Sequence, residues 1–274
     1  MFSRIESYIA QLQADPVGFL ITMAYTWGVI LFSLILHECA HGYVALKCGD
    51  PTAKMMGRLS LNPARHLDPM GTLCMFLLGF GWAKPVPVNP RNFRDYRRDD
   101  FFVSIAGITV NLTLCIFSII LATVVHCFLW DRTFIQMFME VNGSAEGLMN
   151  VFGSDSSCAW AWSIAYGGSF EGMEGYFQHG WLLYVQRFLL LMAEVNLALA
   201  IFNFLPIPPL DGYHLLNDTL LRGKLQLNGT TFNITRVLLI VLILAGVLDT
   251  MLYTTNEFVG SALVRTIMMI GGQL

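Results

Sequence analysis

Residues 17–46 and 101–130 are two runs of thirty residues that hold a single charged side chain between them, Glu38. A helix of that length spans about 45 Å, more than the roughly 30 Å hydrocarbon core of a bilayer. A soluble helix needs a polar face, and these have none. Two shorter runs qualify as well. Residues 181–205 carry Arg187 near their start and Glu194 in their middle, and residues 232–254 are apolar between Arg236 and Asp249. Charged residues make up 13% of the chain and the mean hydropathy is +0.58, about half the charged fraction of a soluble domain. The expected fold is an all-α polytopic membrane protein with about four transmembrane helices. Residues 70–82 are apolar but too short to span, and their glycines suit a re-entrant or interfacial element. Residues 1–16 place Phe2, Ile5, Ile9 and Leu12 on one stripe, as in a helix lying on the membrane surface. No cleavable signal peptide is expected, because the first apolar run contains the motif described below. The tail, residues 259–274, is weakly amphipathic.

Charge placement predicts orientation. The first connection carries nine Lys and Arg between Lys47 and Arg98, whereas residues 131–180 carry only Arg132 beside six acids. The positive-inside rule puts the first connection, and the third with Arg222 and Lys224, in the cytoplasm. Residues 131–180 become an extracytoplasmic connection whose Trp160, Trp162, Tyr166, Tyr176 and Trp181 suit a membrane surface. The net charge of −3 gives no reason to expect nucleic acid as a partner. The six cysteines form no CxxC pair and are expected to be free.

The first run ends in "FSLILHECAHGYVALKCGD", Phe32 to Asp50. Ionisable groups at membrane depth are costly and tend to be functional. "HECAH" places His37 and His41 at i and i+4, one above the other on a helix, where both can hold one Zn²⁺. Glu38, one position on, can take a proton from a water acidified by the metal without itself being a ligand. Cys39 points elsewhere on the helix. A catalytic zinc needs a third protein ligand. "FNFLPIPPLDGYHLL" offers Asp211 at the corner after the third span, where Pro206, Pro208 and Pro209 stop the helix. Asp is also a good helix N-cap, and His66, Asp68 and His214 are rival ligands.

The segments "HECAHGYVALKCGDPTAKMMGRLSLNPARHLDPMGTL", "GWAKPVPVNPRNF", "AGITVNL" and "NLALAIFNFLPIPPLDGYHLL" resemble, in the same order, the site-2 protease family of intramembrane zinc metalloproteases. The form is a minimal one, with no PDZ-like or CBS-like domain expected. The resemblance implies that His37, His41 and Asp211 bind one Zn²⁺, that Glu38 is the base, and that Asn203 holds substrate or the developing oxyanion. Ile108 stands where the family often has proline. Asn196 and Asn203, seven apart, share an inward helical face; Asn196 suits interhelical bonding and Asn203 the site.

Residues 79–90, "GFGWAKPVPVNP", alternate Val86 and Val88 with prolines. This predicts a short β-hairpin with an open edge, to which an extended substrate could add as a strand. The expected whole is one membrane-embedded metalloprotease domain, 1–274. Its parts are an interfacial segment 1–16, a catalytic core 17–222, the connection 131–180 and a last transmembrane helix 232–254. The expected function is hydrolysis of membrane-anchored protein substrates, with lipid as the other partner and the active site near the cytoplasmic side. A metal transporter and an inactive homologue that binds membrane helices are the alternatives.

Overall fold

The computed structural model describes residues 2–78, 81–143, 174–221 and 228–246, with a few isolated positions beyond. The helices are α1 (Phe2–Ala14), α2 (Pro16–Cys48), α3 (Thr52–Met55), α4 (Pro69–Leu78), α5 (Tyr96–Leu129), α6 (Arg132–Asn142), α7 (Leu182–Phe204), α8 (Asp211–Thr219) and α9 (Gly229–Leu244). Among the described residues, three helices are long and apolar enough to cross a membrane: α2, the Tyr96–Ala122 part of α5, and α7. Their outward faces carry large exposed apolar side chains such as Leu20, Phe117, Phe128, Tyr184 and Phe188, which would be unfavourable against water and are ordinary against lipid.

The boundaries follow local chemistry. Asp15 caps α2 by accepting the Gly18 N–H, with Pro16 in the first turn. Gly49, at φ 113°, ends it in the left-handed conformation. Asp95 caps α5 through the Arg98 N–H. The α5–α7 seam is built from Cys115, Ile119 and Ala122 against Leu189, Leu190, Ala193 and Leu197. Small residues there let backbones approach closely, which matters where lipid supplies no hydrophobic drive. Val29 joins α2 to Leu191 and Met192 of α7, and Leu215 joins α8 to Ile108 and Ala200. As expected, Asn196 bonds between helices, its Nδ2 donating to Ser33 Oγ at 2.8 Å.

Two expectations are not confirmed among the described residues. The fourth span, 232–254, is met only by α9, whose 16 residues cover about 24 Å; residues 247–253 lie outside the described residues. The β-hairpin is not formed: among the described residues there is no sheet, only the isolated bridges Leu67–Ala83 and Trp130–Phe177. Pro85 and Pro87 have no N–H to give a partner strand, and three of the donors that remain are used elsewhere. Lys84 N–H goes to the His66 carbonyl at 2.8 Å, Val86 N–H to Glu38 and Asn89 N–H to Asp50. The short apolar element is present as α4. Most of the aromatic connection, residues 144–173, and nearly all of the tail lie outside the described residues. Cys39, Cys48, Cys74 and Cys115 are free.

Candidate metal centre

His37 and His41 lie one turn apart near the end of α2, and the two imidazoles meet edge to face at 82°. Their Nε2 atoms are 3.0 Å apart. Asp211, in the first turn of α8, completes a triangle: its Oδ2 lies 3.4 Å from His37 Nε2 and 3.3 Å from His41 Nε2. A tetrahedral zinc with ligand arms of about 2.0–2.1 Å has edges of about 3.3 Å, so the three spacings suit that ion. Asp211 Oδ2 is buried and accepts no hydrogen bond. The set of two neutral nitrogens and one carboxylate is a common catalytic zinc donor set.

Asp211 is not the helix N-cap, since Leu210 occupies that position. Gly212 explains how the corner closes: a Cβ there would fall 2.3 Å from the Phe204 carbonyl oxygen, so only glycine lets the start of α8 fold back on the end of α7. The rival ligands are engaged elsewhere. His66 Nε2 bonds the Ser60 carbonyl at 2.7 Å, Asp68 accepts the Gly71 N–H at the start of α4, and His214 Nδ1 meets Asp100 Oδ2 at 3.1 Å. Among the described residues, His37, His41 and Asp211 are the one group of three or more such ligands placed to share a metal ion.

The histidines rest on α5. His41 Nδ1 lies 2.7 Å from the Val103 carbonyl oxygen, so it carries the proton and leaves Nε2 free for a metal. One turn on, Gly107 lies against both rings; a Cβ there would sit 2.4 Å from His37 Cε1 and 2.6 Å from His41 Nε2. Another turn on, the Asn111 amide is 3.1 Å from His37 Nδ1. Sequence reasoning missed this support. The available signal was Gly107 and Asn111 at helical spacing inside a run without charge.

Glu38 Oε2 accepts the Val86 N–H at 2.7 Å, which leaves Oε1 for a water. Gly42, one turn after Glu38, makes room for this contact, because a Cβ there would meet Val86 Cγ1 at 2.9 Å and Leu59 Cδ2 at 2.7 Å. The segment is pinned further along by Asp50, which accepts from the Asn89 N–H and the Asn92 amide, each at 2.7 Å, and from Thr52. Burial would raise the Asp50 carboxyl, but these donors pull it below its ordinary value. Val88 lies in the same extended segment without a strand partner. Asn203 is in the last turn of α7, and its Nδ2 donates to the Leu199 carbonyl at 3.0 Å.

The Glu38 anchor yields an expected result. Val86→Pro deletes one N–H and leaves zinc content unchanged. Hydrolysis should fall about tenfold, the worth of roughly 1.4 kcal/mol from a charge-assisted hydrogen bond. Kinetics and metal analysis on the purified protein check it, and an unchanged rate would show that the anchor is irrelevant to the base.

The chain matches the model for peptidase family M50 over residues 25–245. It is 37% identical over 196 residues to the "Putative zinc metalloprotease YwhC" of Bacillus subtilis, an alignment covering 72% of this chain and 69% of that protein. It is 31% identical over 139 residues to the "Putative zinc metalloprotease Rip2" of Mycobacterium tuberculosis, covering 47% of this chain and 53% of that protein. The Rip2 of Mycolicibacterium smegmatis is 28% identical over 148 residues, covering 51% and 56%. No solved structure matches the chain.

Proposed function

This chain belongs to peptidase family M50 and is a zinc metalloprotease, and from that premise we propose that it hydrolyses peptide bonds of membrane-anchored proteins, in the manner of regulated intramembrane proteolysis. His37, His41 and Asp211 hold the zinc and Glu38 is the general base. The observation that carries this reading is the convergence of three ligand atoms, all within 4.8 Å of one another, two of them on α2, a helix of membrane length, and the third on the short α8. Zinc bound there supplies a Lewis acid that acidifies a water and polarises a carbonyl. Glu38, steadied by Val86, takes the water's proton and later returns one to the leaving amine. Asn203 and the extended backbone through Val86 and Val88 are assigned to the substrate. That assignment requires an unwound segment, because a helical substrate has its carbonyls tied up in its own hydrogen bonds.

The Lys and Arg excess in the first connection supports a site near the cytoplasmic face; a reporter fused after Arg94 should read cytoplasmic, and an external reading would reverse the orientation. The function is tested by mapping new protein ends in membranes of cells carrying either wild type or Asp211→Ala. Ends present only with wild type, within or beside apolar segments of anchored proteins, are the expected result. Identical ends in both, or new ends in soluble proteins alone, would overturn the proposal.

A further inference from the structure

Val103, Gly107 and Asn111 follow one another at four-residue spacing on α5, and all three face the histidine pair. Val103 offers a carbonyl to His41, and Gly107 offers space. Asn111 is fully buried, with its Nδ2 3.1 Å from His37 Nδ1 and its Oδ1 without a partner. An NH2 group facing Nδ1 would require that nitrogen to accept, which puts the ring proton on Nε2 and closes it to a metal. It would also leave a buried carbonyl oxygen unsatisfied. Turning the amide by 180° exchanges two groups of nearly equal size and removes the conflict at His37; the unpartnered far end of the amide is then a buried NH2 in place of a buried oxygen.

We propose that Asn111 is a positioning residue for His37: its Oδ1 accepts the Nδ1–H and thereby presents an unprotonated Nε2 toward the zinc. This inference rests on His37 being a ligand. It makes α5 a template that fixes both imidazoles, His41 through a main-chain oxygen and His37 through a side-chain oxygen. Outer partners of this kind orient metal-binding histidines and set their affinity. A neutral amide does this inside an apolar span without burying a second carboxylate beside Asp211.

The experiment measures zinc affinity by chelator competition on the full chain in lipid nanodiscs. Wild type, His37→Ala, Asn111→Leu and Asn111→Asp are compared, and thermal unfolding of each zinc-free protein serves as the control. Asn111→Leu should weaken zinc binding about 10- to 100-fold without lowering the zinc-free melting temperature. Asn111→Asp, which keeps an acceptor oxygen, should stay within about threefold of wild type or bind tighter. The absorption spectrum of the Co²⁺-loaded protein should change shape in Asn111→Leu and not in Asn111→Asp. Wild-type affinity in Asn111→Leu, or a loss in Asn111→Asp as large as that in Asn111→Leu, would overturn the proposal. Should Asn111→Leu not fold, Asn111→Asp decides alone: retained affinity supports the role and a tenfold loss rejects it. If His37→Ala binds zinc like wild type, the ligand assignment fails instead, and the two failures are thereby separated.

Discussion

Glu38→Gln should leave one zinc per chain and lower peptide hydrolysis by about 10²- to 10⁴-fold, the usual worth of a general base. The substitution is nearly isosteric. A glutamine oxygen can still accept the Val86 N–H that Glu38 Oε2 now takes at 2.7 Å, so the segment over the site should stay in place. What is lost is an ionisable group able to receive a proton from the attacking water. The three proposed ligand atoms belong to other residues, and zinc should therefore remain. His37→Ala behaves differently: it removes one corner of the triangle and should lose metal and activity together. Zinc analysis and a cleavage assay on the same purified samples separate the two. Near wild-type cleavage by Glu38→Gln would refute the assignment of Glu38 as base.

Gly107→Ala should lower zinc occupancy and cleavage in parallel, by about 100-fold in affinity. Its added methyl would lie 2.4–2.7 Å from three ring atoms of His37 and His41, closer than carbon and nitrogen tolerate. Either α5 retreats or the imidazoles turn away from their partners on α5. Overpacking of this kind costs about 1–3 kcal/mol, up to roughly a hundredfold in binding. The matched control is Gly28→Ala, on α2, where a Cβ would meet nothing within 4 Å. That variant should bind zinc and cleave as wild type does. Equal behaviour of the two variants would show that contact between α5 and the rings is not what shapes the site.

The legible parts of this molecule share a property: their signals are local. HECAH declares its geometry because residues i and i+4 must stack on any helix. The three membrane-length helices declare themselves by length and lack of charge. Asp211 was a candidate because three prolines mark a corner, but spacing could not separate ligand from cap; the fold removes the cap reading by placing Leu210 there and sets Asp211 beside both imidazoles. The misread segment shows the converse. Val86 and Val88 alternate with prolines as an edge strand would, yet the partners that define the segment, Glu38 and Asp50, lie 48 and 39 residues away in sequence. The same holds for Asn111, 74 residues from the imidazole it faces. Polar pairings between helices depend on how the bundle closes, and no single run of residues encodes that.

The centre is divided unevenly along the chain. Everything up to Asn111 holds both imidazoles, their supports on α5, the proposed base Glu38 and its anchor Val86. The last corner, Asp211, arrives a hundred residues later, on a short helix that docks through Leu215 against Ile108 and through His214 against Asp100. During synthesis the ribosome therefore finishes a nearly complete half-site long before the missing carboxylate exists. The triangle of ligand atoms can close only once α8 has docked.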